Sequence, residues 1–328
     1  MPFPKIDPPL LNSANPWCTT EADLRALYEC PYTGAVTTRT SLLKGFNHDP
    51  SIHQHTFFDP REHKIVPKNT PDYHVSNTTN GSLNTLGYSP IPLSDYLSFI
   101  TSITSTSPRP SHPKPFIISV TGSPSEVLQA HTLIRAHVSQ ISAPLAMEMN
   151  LSCPNIPSKP PPAYSGPALL EYLSVLPPDS DVPVGIKTPP YTYHDQFATL
   201  ISALKTAAEM RGGKCPVAFV TATNTLGNCL LLGDEGGPVL NSAGGEGVGG
   251  MAGAPLHPLA LGNVKTLRRM LDEVEELKAV VVIGVGGVGD KAGFERMRAV
   301  GAEVVGVGTA LGRKGVDVFS EILEGKTT

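Results

Sequence analysis

Cys153 stands in the run Asn150-Leu-Ser-Cys-Pro-Asn155, where two amides, a hydroxyl and a thiol are delivered within six residues. An ionised thiol is a good proton acceptor, and in water it forms around pH 8.5, so a cysteine in such a setting is a candidate base or nucleophile. The residues before it, from Leu145 to Met149, are apolar except for Glu148 and read as a buried strand. Pro154 and Pro157 forbid that strand to continue. The polar groups therefore gather at a strand's C-terminal end, which is where α/β sheets bind their ligands.

Further groups of the same kind end other apolar runs. Lys187, in Gly-Ile-Lys-Thr-Pro-Pro-Tyr, is an inward cation that is costly unless it meets an anion or an electron-rich ring. Thr221-Ala-Thr-Asn224-Thr225 and Ser82-Leu-Asn84-Thr85 add amides and hydroxyls, a set suited to a planar ring with carbonyl and N–H edges. Gly284-Val-Gly286-Gly287-Val-Gly289 matches the G-x-G-x-x-G pattern of dinucleotide sites. The following strand, Glu303 to Val307, ends in Gly308-Thr309-Ala310 without the carboxylate that a ribose requires. These residues read instead as the seat of a single phosphate, in the loops after the last two strands of a barrel.

Eight apolar segments alternate with helical patterns, as expected of βα units around a parallel sheet. They run from Pro9 to Asn12, Ala35 to Arg39, Pro115 to Val120, Leu145 to Met149, Val182 to Lys187, Val217 to Ala222, Val280 to Val285 and Glu303 to Val307. Helices are predicted over Thr20 to Glu29, Pro124 to Ile141, Pro258 to Leu277 and Lys291 to Val300. The expected fold is an α/β (β/α)8 TIM barrel, one domain over residues 1–328, with long insertions at the C-terminal face of the strands. Two stretches break the alternation: 44–92, rich in His, Asn, Thr and Pro, and 228–256, which holds most of a glycine-dense run from Gly233 to Gly253. Both read as active-site excursions, the second as a cofactor wall or lid. His53 and His55 have a spacing a metal could use on a strand, but no third ligand accompanies them and no metal is expected.

Composition narrows the partners. A net charge of -4 with both signs scattered gives no reason to expect nucleic acid or an anionic membrane. Five cysteines without C-x-x-C spacing indicate neither a disulfide framework nor a metal cluster. The N-terminus lacks a signal or transit pattern and no long apolar run occurs, so a cytoplasmic protein with small-molecule partners is expected.

The Cys153 segment, followed by Ile-Pro-Ser-Lys-Pro, resembles the active-site segment of the class 1A dihydroorotate dehydrogenases, soluble flavin enzymes of pyrimidine biosynthesis. Lys187 with Pro189-Pro190-Tyr191, Asn224-Thr225-Leu-Gly-Asn228, Gly249-Gly250, Gly286-Gly287 and Val307-Gly308-Thr309-Ala310-Leu311 occur in the family's order. The resemblance implies FMN as cofactor, held by Ser13, Ala14, Lys187, Gly249, Gly250, Gly286, Gly287, Gly308 and Thr309. It implies that Cys153 takes a proton from C5 of dihydroorotate while a hydride leaves C6 for flavin N5, with Lys187 and Arg39 as further catalytic residues. Asn84, Asn150, Asn155, Asn224 and Thr225 would hold the pyrimidine, and fumarate would be the electron acceptor. A homodimer is compatible with it.

The sequence departs from the family in two places. Arg39 stands where the family has lysine, and Asn84-Thr-Leu-Gly-Tyr-Ser-Pro replaces the usual Asn-Ser-Met-Gly-Leu-Pro-Asn after a longer excursion. The alternatives are an FMN oxidoreductase acting on another dihydropyrimidine or an enone, and a catalytically silent barrel-shaped binding protein.

Overall fold

The computed structural model describes residues 2–66, 78–108, 114–156, 160–178 and 180–325. Part of the long excursion, 67–77, and residues 157–159 after the Cys153 segment lie outside them.

Eight parallel strands form a nearly closed barrel. They are β1 (Leu10–Asn12), β2 (Val36–Thr37), β5 (Phe116–Val120), β6 (Leu145–Asn150), β7 (Val184–Lys187), β8 (Phe219–Ala222), β11 (Val281–Val285) and β12 (Val304–Val307). Their order around the sheet is β1-β12-β11-β8-β7-β6-β5-β2. Closure between first and last rests on a bridge from Leu11 to Ala35 and on the Gly34 N–H donating to Leu10 O at 2.8 Å. Each strand lies within the segment predicted for it or exceeds it by one residue; β2 is the most reduced, and Arg39 follows it as irregular chain.

The helices cover the outside. α1 (Glu21–Glu29) is capped by Thr20, whose hydroxyl accepts the Asp23 N–H while the Asp23 carboxylate accepts the Thr20 N–H. α3 (Pro124–His137) has the same box from Ser123 and Glu126. The predicted helices ending at Ile141 and Leu277 each finish earlier, in α3 and in α6 (His257–Asp272), and continue as a single 3-10 turn. α2 (Leu93–Thr106), α4 (Gly166–Val175), α5 (His194–Glu209) and α7 (Lys291–Ala299) bury apolar faces against the sheet, and α8 (Thr309–Lys314) and α9 (Val318–Glu324) close the chain.

Strand alternation splits the core in two. One set, including Leu10, Phe116, Ile118, Met147, Met149, Ile186 and Val220, packs outward under the helices. The other, including Leu11, Ala35, Ile117, Ala146, Phe219, Ile283 and Val304, fills the barrel, with the Phe3 ring 4.4 Å from that of Phe219 at its base. Space for Phe219 exists because its neighbour on β7 is Gly185; a Cβ there would fall 2.3 Å from the Phe219 ring.

The excursions build a second sheet. β3 (His55–Phe58), β4 (Gly81–Asn84), β10 (Gly249–Gly253) and β9 (Leu226–Cys229) pair antiparallel in that order. Phe58, Leu83, Leu231 and Leu240 form a small core of their own, and Asn241 ties the 228–256 stretch to Ser51 and Gln54. His53 and His55 of the first excursion have separate neighbours: His53 Nδ1 accepts the Asp49 N–H, and the His55 ring meets Trp17 edge-on. Among the described residues no helix is long and apolar enough to cross a membrane.

Gly185→Ala should destabilise the protein by about 1–3 kcal/mol through overpacking against Phe219. Urea unfolding measures it, and an unchanged midpoint would show that the barrel interior has slack that these distances deny.

Candidate active site

The inward positions of the barrel change character from base to mouth. On β6 they are Ala146, Glu148 and Asn150, on β5 Ile117 and Ser119, on β8 Phe219 and Thr221, and on β7 Gly185 and Lys187. The apolar layer gives way to a buried polar one. Ser119 donates to one Glu148 oxygen at 2.8 Å and Thr221 to the other at 2.7 Å, so this carboxylate is held entirely by hydroxyls. Thr40 shares a 2.9 Å hydrogen bond with Ser119, and Asn150 Nδ2 donates to Thr40 Oγ1 at 2.9 Å. A chain of polar contacts thus rises from Glu148 to the amide that opens the mouth.

Above it lies a cavity of about 700 Å³ between the C-terminal strand ends and the second sheet. The structure brings Ser13, Ala14, Arg39, Asn84, Asn150, Cys153, Asn155, Lys187, Asn224, Thr225, Gly286, Gly287, Gly308 and Thr309 to its wall. Gly249 and Gly250 do not reach it. They are buried within β10, where a Cβ would strike Asn84 O at 2.3 Å and Thr225 Oγ1 at 2.2 Å. Their role is close approach of strands, and the glycine of β10 that faces the cavity is Gly253.

The asparagines form two hydrogen-bonded sets. Asn150 Oδ1 accepts from the Ser152 hydroxyl at 3.0 Å and from Asn224 Nδ2 at 3.2 Å, and Asn224 also donates to Ser152 Oγ at 2.9 Å. Across the cavity, Asn155 Nδ2 donates to Asn84 Oδ1 and to Leu86 O, both at 2.9 Å, while Asn84 Nδ2 donates to Gly250 O at 3.1 Å. The Cys153 loop is thereby joined to the second sheet.

Lys187 is 4% exposed, and its Nζ donates to Ala14 O at 3.2 Å. Arg39 donates to Thr19 Oγ1 at 3.4 Å and to Gly87 O at 3.3 Å, and burial pulls its guanidinium below the usual arginine range. Burial likewise pushes the Cys153 thiol up, opposed by the Asn155 N–H, by the charge of Lys187, by the Tyr88 hydroxyl and by the charge of Arg39. The resting thiol is therefore protonated at neutral pH.

The other end of the cavity suits an anion. Gly286 and Gly287 have φ of +141° and +71°, which turn the loop after β11 sharply, and a Cβ on either would collide within 2.7 Å. His257 Nδ1 donates to Gly286 O at 2.7 Å while its Nε2 accepts from Arg296 Nε at 3.1 Å, which fixes the tautomer and the loop together. Thr309 and Ser82 share a 2.8 Å hydrogen bond that fastens this end to β4.

A sequence model described as dihydroorotate dehydrogenase matches residues 68–327. This chain belongs to the dihydroorotate dehydrogenase family. It is 30% identical over 318 residues to a Streptococcus agalactiae protein named "Putative dihydroorotate dehydrogenase A (fumarate)", covering 95% of this chain and 86% of the relative. A Streptococcus uberis protein of the same name is 29% identical over 320 residues, with 96% and 87% covered. The crystal structure of the dihydroorotate dehydrogenase of Eimeria tenella in complex with ferulenol superposes with a TM-score of 0.67 at 14% identity, covering 96% of this chain and 80% of that one, and shows the shared fold. The chain is thus an oxidoreductase of the dihydroorotate dehydrogenase family.

Several wall residues of this dehydrogenase escaped the sequence reading: Trp17, Thr40, His257 and Arg296. Trp17 follows directly on the Ser13-Ala14 end of the first strand and is the chain's single tryptophan, which was a usable signal. His257 gains its place through contacts with distant segments and had none.

Iodoacetamide labelling of Cys153, followed by peptide mass spectrometry across pH, should be slow at neutral pH and climb through a midpoint above the ordinary thiol range. A midpoint at or below that range would mean that the cations outweigh burial.

Proposed function

We propose that the protein oxidises dihydroorotate to orotate with FMN as cofactor and fumarate as electron acceptor, in pyrimidine biosynthesis. The observation that carries the reading is the single cavity that places a thiol among four asparagine amides at one end and a glycine cradle at the other, with the buried Lys187 ammonium on its wall. The residues fit a flavin mononucleotide. Its phosphate would take the backbone N–H groups of Gly286, Gly287, Gly308 and Thr309, which line this end of the cavity. Ser13, Ala14 and Lys187 would flank the ring system, beside Thr223, whose buried hydroxyl has no hydrogen-bond partner among the described residues. A bound flavin supplies a two-electron acceptor, which no side chain can be.

The chain's own part is alignment and proton transfer. Asn84, Asn150, Asn155, Asn224 and Thr225 bind the ring carbonyls, N–H groups and carboxylate of the pyrimidine, already oriented by their mutual hydrogen bonds. Cys153 Sγ, as the thiolate, removes the proton from C5 and holds it. Lys187 opposes the negative charge that gathers on the ring opposite. The second sheet excludes water from the reacting carbons. Fumarate, a planar dicarboxylate, suits the same amides and cations.

A second reading, oxidation or reduction of another dihydropyrimidine or an enone, is favoured by Arg39, which is committed to Thr19 and Gly87 and cannot be copied by a lysine. The absorbance of the purified protein before and after anaerobic dihydroorotate decides between them. A flavin spectrum that bleaches supports the first reading; one that persists moves the function to another substrate.

Cys153→Ala should keep its flavin yet lose about 10²–10⁴-fold in the rate of that bleaching, the usual share of a positioned base. Equal rates in variant and parent would sink the assignment. Arg39→Lys should lower kcat/KM for dihydroorotate by about tenfold, the worth of one charge-assisted hydrogen bond. A rise would favour the second reading.

A further inference from the structure

The glycine cradle offers backbone N–H groups, which carry only partial charge, whereas a phosphate monoester carries roughly −1.5 to −2 at neutral pH. The cavity wall continues from the cradle into the first turns of α7 and through α8, and there it turns cationic. Lys291, Arg296, Arg313 and Lys314 line it, against the carboxylates of Asp290 and Glu321. Lys314 pairs with Glu321, and Asp290 Oδ1 accepts the Gly293 N–H at 2.6 Å as the cap of α7. Arg296 is the cation tied to the cradle itself. Its Nε donates to His257 Nε2 at 3.1 Å, and the other nitrogen of that ring donates to Gly286 O at 2.7 Å, so one imidazole joins the guanidinium to the glycine loop.

The Arg296 side chain has a defined track. It leans back along α7 over Gly293, one turn earlier, where a Cβ would fall 3.5 Å from Arg296 Nη2 and 3.5 Å from Val288 Cα. The guanidinium therefore ends beside the loop that Gly286 and Gly287 open. With Nε spent on His257, the two terminal nitrogens have no hydrogen-bond partner among the described residues. Resting on the reading of this cavity as a flavin mononucleotide site, we infer that Arg296 is the countercharge of the phosphate and gives the site its preference for the phosphorylated flavin over riboflavin. The terminal nitrogens form a planar fork that matches two phosphate oxygens, which a lysine cannot copy. His257 holds that fork near the cradle before the ligand arrives, so less side-chain freedom is lost on binding. The glycine and Thr309 amides fix where the group sits, and Arg296 requires that it be an anion. Riboflavin, which ends in a hydroxyl, meets the same amides and gains nothing from the charge.

Glutamine separates charge from support. Its amide nitrogen can stand where Arg296 Nε stands, so Arg296→Gln can keep the donor to His257 while the charge is gone; the residue is exposed, and its replacement spares the core. The full chain, freed of flavin, is titrated with FMN and separately with riboflavin, and bound flavin is read from fluorescence quenching. Arg296→Gln should weaken FMN binding by about ten- to a hundredfold, the worth of a charge-assisted hydrogen bond, and leave riboflavin binding unchanged. Added salt should weaken FMN binding more in the parent than in the variant. An unchanged FMN affinity in Arg296→Gln overturns the proposal, since the guanidinium would then only steady the loop, and an equal loss for both flavins overturns it as well. Should the variant not fold, the parent decides: FMN binding that ignores salt sinks the idea. A parent that takes up neither flavin removes the flavin reading itself and this inference with it, an outcome distinct from FMN bound without help from Arg296.

Discussion

A closed parallel barrel admits every second residue of each strand to its interior, and the site depends on this parity. Shifting β6 by one residue would send Glu148 and Asn150 outward under the helices and bring Met147 and Met149 into the lumen. The register is fixed at the base, where Phe219 occupies the space left by Gly185 and the Phe3 ring closes the end. Apolar packing there therefore determines which groups face the ligand some residues further along the same strands.

The polar layer between base and mouth follows from the same constraint. A carboxylate at Glu148 is inward by parity and has no cation among its hydrogen-bond partners; it persists because β5 and β8 present Ser119 and Thr221 at the same level. Those hydroxyls are not spare. Ser119 passes the connection to Thr40 and so to Asn150, whose amide then has only one orientation that satisfies Thr40, Ser152 and Asn224 together. The direction in which the mouth presents its amides is set two layers below the substrate.

How much of this was legible follows from where the information resides. Strand ends marked by prolines, as after Asn150 and Lys187, announce both the parity and the loop, so the Cys153, Lys187 and Asn224 groups could be read from their own neighbourhoods. The second sheet could not, because β3 and β4 are four residues long and β4 finds its partner β10 more than 160 positions away, as the Asn84 to Gly250 hydrogen bond shows. Gly249 and Gly250 lie against strand and loop atoms and not on the cavity wall, and a glycine that admits a ligand and one that admits a neighbouring strand look alike in sequence. His257 reads as the first turn of a helix and becomes a support of the phosphate end only because Arg296, on the next helix, supplies a donor to its second nitrogen.

The protonation of Cys153 brings these levels together. Burial by the second sheet raises the thiol, and the same sheet, through Asn155 and Asn84, is what excludes water from the cavity. A better-sealed site is thus a site with a weaker tendency to form the thiolate, and the two demands can be met only by donors aimed at the sulfur from inside the seal. Lys187 and Arg39 supply charge at a distance, but both are tied to backbone or hydroxyl oxygens, Lys187 to Ala14 and Arg39 to Gly87 and Thr19, which restrains them from neutralising the thiolate by direct pairing. An ion pair would trap the base in its charged form and blunt it. Amide and hydroxyl donors, which release the sulfur once it is protonated, let the same atom accept a proton and later give it up.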